Sequence, residues 1–129
     1  PCPCFDIQAV CSGFVYGLGV ADSFIQNGMA SHILLIGSEK MSSILNWEDR
    51  TTCVLFGDGA GAIVLSAAEG KGTPTDRGLL SHHLYAQGDL RDILYVNGGP
   101  STTGESGHIV MEGREVFRHA VERMAAVVS

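Results

Sequence analysis

Phe5, Ile7 and Ala9 alternate with Asp6, Gln8 and Val10, and this period of two predicts a short strand. The alternation stops at Cys11. From Ser12 onward Gly13, Gly17, Gly19 and Ala21 crowd together, with Val20, Phe24 and Ile25 between and after them. That is the pattern of a helix buried on most sides. Asn27-Gly28 ends it, because glycine takes the left-handed conformation that closes a helix. The apolar run His32 to Gly37 has the length of a central strand buried on both faces. Strand, helix and strand in this order form a βαβ unit, so parallel pairing in a layered α/β architecture is expected.

Further along, Ser38 to Arg50 is polar and irregular and carries Trp47 beside Glu48-Asp49-Arg50, which fits a loop or a short helix at the mouth of a site. Thr52 to Phe56 reads as another strand. Gly57, Gly59 and Gly61 follow it and run into the β-type sequence Ala62 to Ser66. A phosphate loop would need Gly-Lys-Ser/Thr after the glycines, and a dinucleotide fold would need a helix there. Neither is present in the sequence, and close passage of another backbone is the preferred reason for the glycines. Ala67 to Arg77 reads as a surface turn, and Leu79 to Tyr85 as a further strand. His82 and His83 would point to opposite faces of such a strand, so they cannot readily chelate one ion. Ala86 to Gly107 lacks periodicity and reads as a lid or binding loop. From about Val110 to Val128, Phe117, Val121, Met124 and Val128 fall at helical spacing, predicting an amphipathic helix with one face on the core. On its polar side Glu115–His119 and Arg118–Glu122 are four-residue pairs worth about 0.2–0.5 kcal/mol each.

Bulk properties narrow the function classes. A chain of 129 residues is within the range of one domain, and 45% apolar with 17% charged residues is a globular composition. The net charge of −6 leaves no basic stripe for phosphates, which argues against a nucleic-acid partner. Nor does any apolar run approach the roughly 20 residues of a membrane span. Cys2, Cys4, Cys11 and Cys53 form neither a disulfide framework nor a zinc knuckle, so a reducing cytoplasm and no metal are expected. The sequence opens on Pro1 without Met and stops at Ser129 without a capping signal, as an internal piece of a longer protein would.

Cys11 is the candidate for chemistry. A strand that turns sharply into a helix lifts the residue at the turn into a site, and needs small side chains two positions either side of it; here those are Ala9 and Gly13. A helix N-terminus also stabilises a thiolate through its unpaired N–H groups and dipole. Two readings fit this position: an activated nucleophile, or a buried small hydrophobe.

Taken in order, FDIQAVCSGF, HILLIGSE, EDRTTCVLFGDGAGAIVL and IVMEGREVF resemble the β-ketoacyl-acyl-carrier-protein synthase III family over nearly the whole chain. The resemblance implies an α/β, thiolase-like layered fold, present in part, with a mixed sheet and a buried nucleophile helix. It implies a two-step acyl transfer that starts fatty-acid synthesis. An acyl group, commonly acetyl, passes from acyl-CoA to Cys11, and the thioester then condenses with the carbanion from decarboxylated malonyl-acyl-carrier protein. The N–H of Cys11 is expected among the oxyanion donors. Carried over by position, Arg50 meets the nucleotide end of coenzyme A with Thr51 beside it, where other members often have glycine. Met111, Gly113 and Phe117 match positions at the channel to the nucleophile, although Phe117 also fits simple core packing. Arg114 and Arg118 match a basic patch facing the carrier protein, or an ordinary solvated helix face. Acyl-CoA enters as a substrate rather than a cofactor, and a homodimer is implied for the full-length protein.

The family also uses a His in a His-x-Ala-Asn segment and an Asn in a Gly-Asn-Thr segment, and neither motif occurs in this sequence. His32, His82, His83, His108 and His119 match neither position. The expectation is an internal fragment, inactive in condensation by itself. Three rivals stand beside it. One is a thiolase-fold starter synthase of quinolone or polyketide type. Another is an α/β-hydrolase with a Cys nucleophile, which Ala9 in place of glycine weakens. The third is a non-catalytic interaction domain.

Overall fold

A computed structural model describes residues 2–127. They fall into two units, one holding the chain up to Ser38 with Gly59–Tyr85, the other Glu39–Asp58 with the chain from Ala86 onward.

In the first unit a 3-10 turn, Val10–Ser12, leads directly into helix α1, Gly13–Gln26. The helix ends as the Asn27-Gly28 signal requires. Gly28 takes φ +68°, its N–H bonds to the carbonyl of Ile25 at 3.0 Å, and that of Met29 reaches back to Phe24 at 2.9 Å. These two bonds satisfy carbonyls that the last turn would otherwise leave unpaired. Burial is narrower than expected. Only the stripe Gly17, Gly19 and Ala21 is buried, and Phe14 and Val15 remain exposed. The stripe works by close approach: a Cβ on Gly17 would lie 2.7 Å from Cδ1 of Leu35, on strand β1, His32–Glu39.

Strand β1 pairs with β2, Gly59–Ser66. The N–H of Ala67 bonds to the carbonyl of Ser31 at 2.9 Å and His32 Nδ1 lies 3.0 Å from the hydroxyl of Ser66. The start of β1 thus faces the end of β2, and the pair is antiparallel. The expected βαβ unit is not formed, because Phe5–Ala9 is not a strand. No strand among the described residues lies alongside it; instead Phe5 stacks obliquely on Phe24 of α1, with ring centroids 5.9 Å apart. Nor is β1 buried on both faces: Ile33 and Leu35 are half-buried while Leu34 and Ile36 face outward. Leu79–Tyr85 carries no strand either. His82 sits against α1, where a Cβ on Gly19 would come within 3.0 Å of its Nε2. Close passage of another backbone is not met at Gly57, before β2, or at Gly61, within it, since a Cβ at either would touch nothing within 4 Å.

In the second unit a 3-10 turn, Met41–Ile44, follows β1, as the polar stretch allowed. Thr52–Phe56, expected as a strand, is a run of turns closed by bonds from Thr52 and Cys53 to the carbonyl of Asp49, at 3.2 and 3.0 Å. The stretch 86–107 is not a structureless lid. It holds a 3-10 helix, Gly88–Ile93, and strand β3, Leu94–Val96. Strand β4, Ile109–Met111, pairs antiparallel with β3, Tyr95 opposite Val110. The neck of this hairpin is tight: a Cβ on Gly98 would lie 2.6 Å from the backbone nitrogen of Gly107. Helix α2, Gly113–Val127, follows at once, and Arg123 donates to Gln87 at 2.7 Å. The apolar side of α2 does not reach a core among the described residues; Phe117 is 71% and Met124 65% exposed. Val128, expected on the same face, lies outside the described residues.

Candidate active site

Cys11 is exposed and lies in the middle of the 3-10 turn that feeds α1. The two bonds of that turn come from the N–H of Ser12 to Ala9, at 3.1 Å, and from that of Gly13 to Val10. The N–H of Cys11 donates to neither, so it is available beside the sulfur. Immediately before it, Val10 has φ +44°. A β-branched side chain is rarely found there, and such a conformation costs of order 1–3 kcal/mol. A strained joint with an accessible thiol just beyond it supplies the helix side of the expected nucleophile elbow, while the strand side is not formed. Cys11 is not buried among the described residues.

The other candidate residues belong to the second unit. Arg50 and Thr51 lie in the turn after Trp47, and both are exposed. Asp49 organises that turn. Its carboxylate accepts the Thr51 N–H at 2.9 Å and the Thr51 hydroxyl at 2.6 Å, and the Thr52 hydroxyl at 2.8 Å. The Thr51 hydroxyl, then its N–H, then the Thr52 hydroxyl hold the Asp49 carboxyl below the usual carboxylate range. Thr51 therefore has a structural bond in addition to any role toward substrate. The capping was missed in the sequence, although Asp followed by Thr two and three positions later is a recognised turn signal. Asp58 does the same for the Met41–Ile44 turn. It accepts the Ser42 N–H at 2.7 Å and the Ser42 hydroxyl at 2.6 Å, which depress its pKa, the hydroxyl most.

Met111 ends β4, and Gly113 opens α2. The Met111 methyl lies over Gly113, 3.6 Å from where a Cβ would stand. Phe117 follows one turn later on the exposed face. Arg118 is not free to act as a bare cation: it bonds Glu115 at 2.6 Å and Glu122 at 3.5 Å. The Glu115 partner chiefly raises the Arg118 pKa, and Arg118 in turn lowers that of Glu115. Glu115 is thus paired with Arg118, not with His119 as expected, while the Arg118–Glu122 pair is formed. Arg114 is exposed and has no ion-pair partner among the described residues.

Residues 5–88 match the family described as 3-oxoacyl-(acyl-carrier-protein (ACP)) synthase III, another name for the β-ketoacyl enzymes. This chain belongs to that family. The synthase III match spans the elbow, β1, the Asp49 turn and β2. A curated relative, beta-ketoacyl-(acyl-carrier-protein) synthase III of Paramagnetospirillum magneticum, is 64% identical over 96% of this chain and 38% of its own length. The chain therefore spans well under half of the relatives it matches. Among solved structures, synthase III from Pseudomonas aeruginosa PAO1 superposes with a TM-score of 0.83 at 38% identity, covering 96% of this chain and 37% of that one. The enzyme from Aquifex aeolicus VF5 gives 0.75 at 47% identity over 88% and 33%. At these identities the likeness extends the synthase III assignment from sequence to fold, thiolase-like and α/β.

Proposed function

We propose that this chain supplies the acyl-accepting part of a β-ketoacyl-acyl-carrier-protein synthase III, with Cys11 as nucleophile. The observation that carries the reading is the elbow: an exposed thiol on the turn into α1, beside a backbone N–H that the turn's own bonds leave out. The Cys11 sulfur attacks the carbonyl carbon of an acyl-CoA thioester, acetyl-CoA first among them. Negative charge collects on the carbonyl oxygen, and the Cys11 N–H donates to that oxygen as one member of an oxyanion hole. Collapse expels the coenzyme A thiolate and leaves the acyl group on sulfur. The acyl-enzyme then accepts the carbanion released when malonyl-acyl-carrier protein loses carbon dioxide, giving a β-ketoacyl-carrier protein and restoring the thiol. No resident cofactor is required in this sequence of steps.

Within the same reading Arg50 takes the nucleotide end of coenzyme A, as a guanidinium suits phosphate oxygens, with Thr51 beside it. Met111, Gly113 and Phe117 border the substrate path. Arg114 and Arg118 meet the acidic carrier protein, Arg114 as the uncompensated charge. The protein acts in the cytoplasm as a homodimer. Transient kinetics of the complete protein with acetyl-CoA alone test the first step. A burst of coenzyme A release, stoichiometric with protein and abolished in Cys11→Ser, is expected. Release without a burst, or a burst that survives the substitution, contradicts it.

A further inference from the structure

The turn around Arg50 poses an electrostatic problem that the structure resolves. Asp49 and Arg50 are neighbours, and adjacent residues of this kind pair readily: Arg91 bonds the carboxylate of Asp92 at 2.7 Å. A pairing of that sort at Arg50 would cancel the charge that an anionic ligand needs. It is not formed. The carboxylate of Asp49 is instead occupied by three donors from Thr51 and Thr52, at 2.6 to 2.9 Å. Its carbonyl takes the N–H groups of Thr52 and Cys53, and its own N–H bonds Asn46 at 3.1 Å. Thr52 is 1% exposed, the anchor of the turn. The bonds from Thr51, Thr52 and Cys53 to Asp49 bracket Arg50, and none is made by it.

We propose that Asp49, acting through Thr51 and Thr52, is the positioning residue for Arg50: it stiffens the backbone on both sides of the guanidinium and withholds its own carboxylate from it. This rests on the assignment of Arg50 to the nucleotide end of coenzyme A. A stiff backbone lowers the ordering cost that a long side chain incurs on binding, and a diverted carboxylate leaves the full positive charge to the phosphates. Thr51 is then chiefly a device that holds Asp49.

The test uses the complete protein with two acyl donors, acetyl-CoA and acetyl-pantetheine, which lacks the nucleotide. Thr51→Val removes the hydroxyl and keeps the shape, and Asp49→Asn is the second variant. Each should raise KM for acetyl-CoA by about 3- to 10-fold, the scale of one ordinary intramolecular hydrogen bond. The ratio of the two KM values should shift toward pantetheine, with kcat moving much less than KM. Arg50→Ala should shift the ratio at least as far, and adding Thr51→Val or Asp49→Asn to it should have no further effect. An Arg50→Ala protein with the parent KM for acetyl-CoA overturns the assignment of Arg50 itself. A raised KM in Arg50→Ala, with Thr51→Val and Asp49→Asn both at parent values, overturns the positioning role alone. So does an effect of either variant that is equal for both donors or persists without Arg50.

Discussion

Single residues carry most of the chemistry here, and they differ in how readily they are read. Cys11 stands out in sequence because Ala9 and Gly13 flank it where a strand pattern becomes a helix pattern. The left-handed Val10 beside it does not, since nothing about valine announces φ +44°; only a closed turn imposes it. Nothing in the hydrophobic pattern singles out Asp49 or Asp58, yet each closes a turn with two or more bonds. Both bind a proton more weakly folded than unfolded, Asp49 because of the Thr51 hydroxyl and Asp58 because of the Ser42 hydroxyl. Their stabilisation is therefore whole above the unfolded carboxylate value of about pH 4 and is lost as pH falls through the lower folded values. Asp49→Asn and Asp58→Asn should each give a flatter fall of melting temperature on acidification from about pH 5 to pH 2 than the parent. Curves that run parallel to the parent's would contradict that role for these carboxylates.

Elements were legible where the pattern was long. Helix α1 emerges as expected, and β1 and β2 form where expected but run on to Glu39 and back to Gly59. The Asn27-Gly28 stop is met by both of its hydrogen bonds. Strands β3 and β4 were not found, because three residues each are too few for a period of two to show. Phe5–Ala9 had the period without a partner strand, and alternation alone does not form a ladder. Packing between elements makes two predictions. Gly17→Ala should be near neutral, because the atom it meets is the mobile end of Leu35 and alanine favours the helix by about 1 kcal/mol. Gly17→Val should cost about 1–3 kcal/mol in denaturant unfolding. At the hairpin neck the obstacle is backbone, which cannot turn aside. Gly107→Ala should therefore open β3 from β4, seen as lost hydrogen-exchange protection of the Tyr95 and Asn97 amides, which face β4 in this register; unchanged protection would contradict the close contact.

At the scale of the whole molecule, apolar side chains expected in a core face outward: Leu34 and Ile36 on β1, Val64 on β2, Phe117 and Met124 on α2. The helical period identifies the apolar face of α2 and not what covers it, and the continuous apolar run of β1 does not mean burial on both faces. The 129-residue chain by itself should bind a hydrophobic dye strongly and sediment as more than a monomer, since exposed apolar patches of this kind drive association. A monomeric, dye-silent chain would contradict the exposure. The account as a whole depends on the sulfur at the head of α1, and the most direct measurement is peptide-mapped mass spectrometry of the complete protein after brief exposure to acetyl-CoA. An acetyl group on the peptide containing Cys11, and none in Cys11→Ser, is the predicted result. An unmodified Cys11 beside acetylation elsewhere, or no acetylation at all, would contradict it.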